Sequence, residues 1–156
     1  MKTVTESDIS EAQANMQFVQ ALAAAGGDFR SVNMPDEDLA KVTEVVFPDG
    51  VRLNGDVNSD YNLQNYPFTR MPRLRKLVIR DPDTLLPNGY FCHMNSPEAE
   101  VELPYSAMKP SMFASAKLRL VKLTATSRFG SRLRDVSLHH SFYHCEAGRV
   151  ELPEGL

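Results

Sequence analysis

The 156-residue sequence predicts a repeat solenoid, in which about six parallel strands stack behind an N-terminal helical cap. Three observations predict this fold class. A short apolar pattern recurs along the chain, a phenylalanine precedes most copies of it, and an amphipathic segment lies ahead of the first copy.

The recurring pattern is an apolar residue, two variable residues, an apolar residue, one variable residue and an apolar residue. Its six copies occupy 42–47, 74–79, 98–103, 118–123, 133–138 and 147–152. Only the third copy departs from the pattern, because Glu98 stands at its first position and Ala99 is the nearest apolar neighbour. The last apolar positions of successive copies are 32, 24, 20, 15 and 14 residues apart. This recurrence predicts stacked strands joined by return segments of decreasing length.

A second element precedes several of these strands. It is a phenylalanine followed three residues later by a small or flexible apolar residue. The four pairs are Phe68 and Met71, Phe91 and Met94, Phe113 and Ala116, and Phe142 and Cys145. Phe129 occupies a comparable place without the second member. A separation of three residues fits one turn of helix whose two side chains face the core, so each return segment is predicted to contain such a turn.

The region 1–40 does not join the repeat and forms a separate unit from 41–156. A helix is predicted over 6–25, capped by Asp8 with Glu11 three residues later, and ended by Gly26-Gly27. Its predicted apolar stripe is Ile9, Ala12, Met16, Val19 and Leu22. Pro35-Asp36-Glu37-Asp38 resembles the start of a second short helix. The unit either caps the first strand or is an arm that docks on another subunit.

The stretch Pro67-Phe68-Thr69-Arg70-Met71-Pro72-Arg73-Leu74-Arg75-Lys76-Leu77-Val78-Ile79 resembles the BspA-like class of leucine-rich repeat. The segment from Ser141 to Cys145, followed by Gly148-Arg149-Val150-Glu151-Leu152-Pro153, is similar and one residue shorter. The resemblance covers about residues 42–156. It implies a parallel-stranded solenoid used for protein–protein or cell-surface recognition, with no catalytic residues to transfer.

Composition and charge exclude several classes of protein. No apolar run approaches the roughly 18 residues of a membrane span, and the N-terminus lacks the pattern of a secretion signal. The prediction is therefore a cytoplasmic or virion-associated protein. Residues 1–60 carry a net charge of −7 and residues 61–156 carry +4, which gives −3 for the chain. This gradient suits either head-to-tail contacts, an anionic partner, or simple uneven solvation of a long molecule.

The sequence contains no recognisable catalytic context and no glycine-rich phosphate loop, so the prediction is a non-enzyme without a cofactor. The cluster of His139, His140, His144 and Cys145 offers ligands that zinc accepts. Strand alternation would send His139 and His140 to opposite sides, so turn and edge roles are preferred to metal binding. The basic stretches at 70–80 and 117–134 alternate with core positions, which makes nucleic-acid binding the weaker interpretation.

The outward strand positions predict a contact surface. Its candidate partner-binding residues are Val46, Val78, Leu120, Lys122, Arg70, Arg73, Arg75, Lys76 and Arg80. Three ion pairs are predicted between neighbouring strands, namely Lys76–Glu100, Glu102–Lys122 and Asp135–Arg149. Pairs of alternating sign neutralise this face, which again argues against a nucleic-acid groove.

Two functions remain open. The first is a non-catalytic protein-binding module of the leucine-rich-repeat type, with a protein partner. The second is a structural subunit of a larger assembly such as a phage particle, completed by neighbouring chains. The final copy of the pattern ends at Pro153-Glu154-Gly155-Leu156 without an amphipathic cap, so the last rung is predicted to be an open edge. Either Glu151 and Arg149 protect this edge, or another chain covers it through self-association or assembly.

Overall fold

A computed structural model describes residues 9–48, 50–51, 53, 67–87, 89–109, 111–125 and 141–153. Two α-helices come first, α1 (Glu11–Ala24) and α2 (Asp36–Leu39). The strands are β1 (Glu44–Val46), β2 (Lys76–Val78), β3 (Glu100–Pro104), β4 (Lys117–Thr124) and β5 (Glu146–Glu151). Short 3-10 turns occupy Phe29–Ser31, Pro67–Arg70 and Tyr105–Ala107. All five strands form one open parallel sheet in the order β1-β2-β3-β4-β5.

The strand register follows the apolar pattern of the sequence. The middle apolar residues stand side by side across the sheet, in the order Val45, Leu77, Val101, Val121 and Val150. The predicted stack of parallel strands is confirmed at this level. The fifth copy of the pattern, 133–138, lies outside the described residues, and β4 pairs directly with β5. Val150 is therefore the neighbour of Val121 on β5.

The core lies between the sheet and the phenylalanine turns. Phe68, Phe91 and Phe113 are fully buried, as are Met71, Met94 and Ala116, the partners three residues later. The rings form a column, with centroid separations of 4.9 Å from Phe68 to Phe91, 5.1 Å to Phe113 and 5.4 Å to Phe142. The inward-facing turns are thus confirmed for the described residues. Phe129 lies outside them.

The phenylalanine turns are also joined by backbone hydrogen bonds that the sequence did not predict. The amide groups of Phe91 and His93 donate to the carbonyls of Met112 and Ala114, both at 2.9 Å. Those of Phe113 and Ser115 donate to Ser141 and Tyr143, at 2.8 and 2.9 Å. The residue two positions after the phenylalanine takes a left-handed conformation in three turns, with φ of 60° at His93, 57° at Ser115 and 55° at His144.

Helix α1 starts later than predicted and buries a different face. Ser10 caps it, accepting a hydrogen bond of 3.1 Å from the Gln13 amide, whereas Asp8 lies outside the described residues. Its buried side chains are Ala14, Phe18 and Leu22. The predicted stripe is wrong for Ala12, which is exposed, and for Met16, which is 54 % exposed. Two stripes of α1 satisfy the same spacing of three and four residues. The helix buries the stripe that places the large Phe18 ring beside Phe68.

The end of α1 matches the prediction. The Gly26 amide donates to the Ala23 carbonyl at 3.0 Å, and the Gly27 amide donates to the Leu22 carbonyl at 2.9 Å. Both glycines have positive φ, 64° and 94°. This pair of bonds is the Schellman motif, which glycine forms without steric cost.

Helix α1 covers the outer edge of β1. The Thr43 carbonyl accepts bonds from Arg75 and Lys76 of the next strand, so the Glu44 amide of the same trans peptide points away from the sheet. On that side the Asn15 side-chain oxygen accepts from the Glu44 amide at 3.3 Å and from the Thr43 amide at 2.8 Å. The Asn15 amide group donates to the Thr43 hydroxyl at 3.1 Å. One asparagine therefore supplies the acceptor that a further strand would otherwise provide.

Candidate protein-binding surface

The face of the sheet opposite the core carries two rows of outward side chains. The row before the middle apolar position is Glu44, Lys76, Glu100, Leu120 and Arg149, and the row after it is Val46, Val78, Glu102, Lys122 and Glu151. Charges of both signs alternate along these rows. Neighbouring strands thus present a mixed surface rather than one of a single sign.

The ion pairs on this face differ in part from those predicted. Lys122 lies 3.6 Å from Glu102, which confirms that pair. Lys76 stands opposite Glu100 in register, but Glu100 forms its ion pair with Arg119, one position earlier on β4. Asp135 lies outside the described residues. Arg149 instead pairs with Glu151 of its own strand at 3.1 Å.

The predicted contact residues divide into exposed and buried groups. The basic residues Arg70, Arg73, Arg75, Lys76, Arg80 and Lys122 are all exposed. Val46 and Leu120 are half-buried. Val78 is only 3 % exposed, so its predicted role as an exposed contact is wrong. The short Val78 side chain lies between Val46 and Glu102 of the neighbouring strands, whereas the longer Lys76 side chain on the same strand is exposed.

The basic stretch at 70–80 is partly neutralised by the N-terminal helices. Arg70 pairs with Asp36 at 2.8 Å, while Arg73 and Arg75 lie 3.7 and 3.2 Å from Glu11. Glu11 also accepts a hydrogen bond of 2.6 Å from the Thr43 hydroxyl. The Thr43 hydrogen bond is the largest cause and lowers the pKa of Glu11 below its usual value. Desolvation opposes it, and the charges of Arg75 and Arg73 each lower the pKa by a smaller amount. Sequence spacing could not indicate these contacts, because they join segments far apart in the chain.

Two shallow, open depressions adjoin on this surface. The first, of about 320 Å³, is lined by Glu11, Thr43, Pro72, Arg73, Arg75 and Glu98. The second, of about 440 Å³, is lined by Glu44, Arg75, Lys76, Glu98, Glu100 and Arg119. They share Arg75 and Glu98, and we name them together the charged groove. In the described part of the chain, Lys76 and Glu98 have no ion-pair partner, so both signs of charge are available to a ligand.

The described residues do not assemble a recognisable reactive centre. Among them, no group of three or more His, Cys, Asp or Glu side chains is placed to hold a metal ion. His139 and His140 lie outside the described residues, and His144 is exposed. Cys145 is half-buried against the core, and burial together with the Glu146 carboxylate raises the pKa of its thiol to about 11. A thiol held in its neutral form is a weak nucleophile at physiological pH.

None of the helices in the described ranges has the length and apolar character that a bilayer crossing requires. No family model matches the chain, and neither do the curated proteins or the solved structures with which it was compared.

Proposed function

We propose that this chain is a non-catalytic protein-binding module of the leucine-rich-repeat type, and that its charged groove contacts a protein partner. The observation that carries the proposal is the groove itself. It is shallow and open, and its lining side chains are of both signs. Such a surface suits the side chains of another protein better than a small molecule, which proteins usually bind in an enclosed and largely apolar pocket.

The charges of the groove define the partner. Arg75, Arg119 and Lys76 supply donors, and Glu98 and Glu44 supply acceptors, within one continuous surface. A polyanion would meet the carboxylates as well as the bases, which opposes nucleic acid as the ligand. A protein segment carrying both acidic and basic side chains satisfies both. Charge complementarity of this kind contributes chiefly to specificity and to the rate of association.

The test compares three forms of the protein as bait in quantitative affinity capture from cells that produce it. They are the wild type, Lys76→Glu, and the double variant Gln13→Glu/Gln20→Glu. Gln13 and Gln20 are exposed on α1 and lie outside the groove lining, and the double variant changes the net charge by the same amount as Lys76→Glu. The control therefore separates a local effect from a change in total charge.

We expect one or more proteins to be retained by the wild type and by the control, and to be reduced about tenfold or more with Lys76→Glu. Identical recovery with all three baits would exclude the groove as the contact surface. Loss of binding to both charge variants would show that total charge, and not the groove, attracts the partner.

A second candidate function is that of a structural subunit completed by neighbouring chains. The observation that favours it is the exposure of β5 and its flanking residues. Tyr143 is 56 %, Val150 39 % and Leu152 51 % exposed. In the described part of the chain, β5 has a paired neighbour on one side only. An edge strand bearing apolar side chains is a surface on which another strand can add.

A further inference from the structure

We propose that β5 pairs antiparallel with β5 of a second copy of this chain, about a two-fold axis at Val150. This inference rests on the second candidate function, assembly by neighbouring chains, and identifies the neighbour. The two sheets would join into one of ten strands, five from each copy. The backbone and the side chains of β5 both support this register.

Equivalent positions on the other strands indicate which backbone groups of β5 face its open edge. The Phe47 amide donates to Val78 at 3.0 Å and the Ile79 amide to Glu102 at 3.0 Å, each on the next strand. Leu152 occupies the same place in the pattern, so its amide points outward from β5. The alternation of a strand then places both the amide and the carbonyl of Val150 on the same side.

The Gly148 carbonyl also faces the open edge of β5. At the equivalent positions, the Thr43 carbonyl accepts from the Arg75 amide and the Ala99 carbonyl accepts from the Arg119 amide, both at 2.8 Å. Gly148 has no such neighbour within the described residues. In an antiparallel pair centred on Val150, the two Val150 residues exchange amide-to-carbonyl bonds, and each Leu152 amide donates to the Gly148 carbonyl opposite. Every outward group named here then has a partner.

The side chains of β5 are complementary to themselves in the same register. With Val150 opposite Val150 of the partner copy, Arg149 faces Glu151 and Glu151 faces Arg149, which gives two cross-strand pairs of opposite charge. Leu152 faces Gly148, whose missing side chain leaves space for it. Gly148 is already required within the chain, since a Cβ there would lie 2.9 Å from the Arg119 carbonyl oxygen. Moving the two-fold axis by one residue, to Arg149 or to Glu151, would place two like charges opposite each other, so the charges favour the axis at Val150.

Charge reversal tests the pairing in a way that contacts within one chain cannot reproduce. The variants are Arg149→Glu and Glu151→Arg, examined separately and as an equimolar mixture by size-exclusion chromatography with light scattering. Each variant alone places like charges across the two-fold axis. In the mixture, the acidic residues at positions 149 and 151 of one variant face the basic residues at positions 151 and 149 of the other. Neither chain regains its internal Arg149–Glu151 pair, so restored association can come only from the interface.

We expect the wild type to approach a mass twice the 17.5 kDa of the chain as its concentration rises. Each variant alone should remain a monomer, and the mixture should return to the dimer mass. A wild type that stays monomeric, whether because other residues of the chain cover β5 or because the edge binds a different protein, would overturn the proposal. So would a mixture no more associated than its components.

A disulfide cross-link tests the same pairing without charge reversal, so the test does not depend on the folding of the charge variants. Opposed residues of an antiparallel pair have Cα atoms about 5.5 Å apart, within the range of a disulfide. In a background with Cys92→Ser and Cys145→Ala, Val150→Cys should form a covalent dimer on mild oxidation, and Glu146→Cys should not. Equal cross-linking of both would overturn the register. The charged-groove variant Lys76→Glu should dimerise normally, so the failure of either proposal leaves the other distinguishable.

Discussion

The two edge strands of the sheet, β1 and β5, differ in how far other described residues cover them. At β1, the backbone is covered by α1, whose Asn15 bonds the Thr43 and Glu44 amides while Phe18 joins the aromatic column. Near β5, the last described ring of this column is the half-buried Phe142, and Val150 is exposed. The same strand pattern is therefore covered by a helix at the β1 edge, whereas among the described residues nothing pairs with the outer edge of β5.

The aromatic residues show the same asymmetry. Near β1, Phe29 lies 4.8 Å from Phe68 and 4.5 Å from Tyr90, and the Tyr90 hydroxyl donates to the Gly27 carbonyl at 2.7 Å. These rings pack from several directions. Near β5, Phe142 is stacked on Phe113 alone among the described aromatic residues. Among the described residues, the closed end therefore has more buried aromatic side chains, which contribute strongly to the stability of a core.

The largest expected difference is between Val121→Asp and Val150→Asp, which alter neighbours in register on β4 and β5. Val121 is fully buried, so a carboxylate there should remove more than about 4 kcal/mol and leave the protein unfolded or insoluble. At the exposed Val150 the loss should be about 1 kcal/mol or less. Urea unfolding followed by circular dichroism measures both. A normal unfolding transition for Val121→Asp would contradict the assignment of the core.

The aromatic column predicts a graded loss. Phe113→Ala should cost about 3–5 kcal/mol, because the ring is fully buried between Phe91 and Phe142. Phe142→Ala should cost less than half of that, since its ring is partly exposed and terminates the described column. Thermal unfolding of both variants at one low protein concentration tests the order. Equal losses would mean that the two ends of the column are equally well packed.

The edge cover of β1 can be broken by one substitution. Asn15→Leu introduces an apolar side chain of similar size and removes the acceptor for the Thr43 and Glu44 amides, which should cost about 1–3 kcal/mol. Asn15→Asp retains an acceptor for both amides, although its carboxylate lies near Glu11. It should therefore lose less stability than the leucine variant. An unchanged free energy of unfolding for Asn15→Leu would show that α1 holds β1 by packing alone.

The smallest expected effect concerns pH. The pKa of Glu11 is lowered in the folded protein by the Thr43 hydroxyl and by Arg75 and Arg73. Its stabilising contribution is complete above the ordinary value of 4.5 and is lost as the pH falls through the lower folded value. Glu11→Gln should therefore show a weaker fall in stability between neutral and acidic pH than the wild type. An equal change in the free energy of unfolding with pH for both proteins would exclude this role of Glu11.

Much of the sheet could be predicted because each strand carries its own short apolar pattern in the sequence. The middle apolar positions at Val45, Leu77, Val101 and Val121 are adjacent in register, as their spacing indicated. The phenylalanine and its partner three residues later identified the inward turns for the same reason. A short pattern fixes which side of a strand or turn is buried, and burial then fixes the pairing.

The features that escaped prediction depend on contacts between distant segments. Asn15 gives no local sign that it will bond Thr43. The spacing of Glu11 from Asp8 predicts a capping box, and nothing in it indicates that Glu11 also contacts Thr43 and Arg75. The predicted stripe of α1 is wrong because spacing alone cannot choose between Met16 and Phe18. Strand alternation predicts an exposed Val78, since it indicates the face of the strand but not which side chains cover that face.

The position of α1 has a consequence for biosynthesis. The segment that covers β1 is translated before β1, and every later strand is translated after the neighbour on which it pairs. A nascent chain can therefore add strands to a surface that already exists, from the closed edge toward the open one, without waiting for distant sequence. Of the described strands, β5 leaves the ribosome last, and its far side has no partner among the described residues.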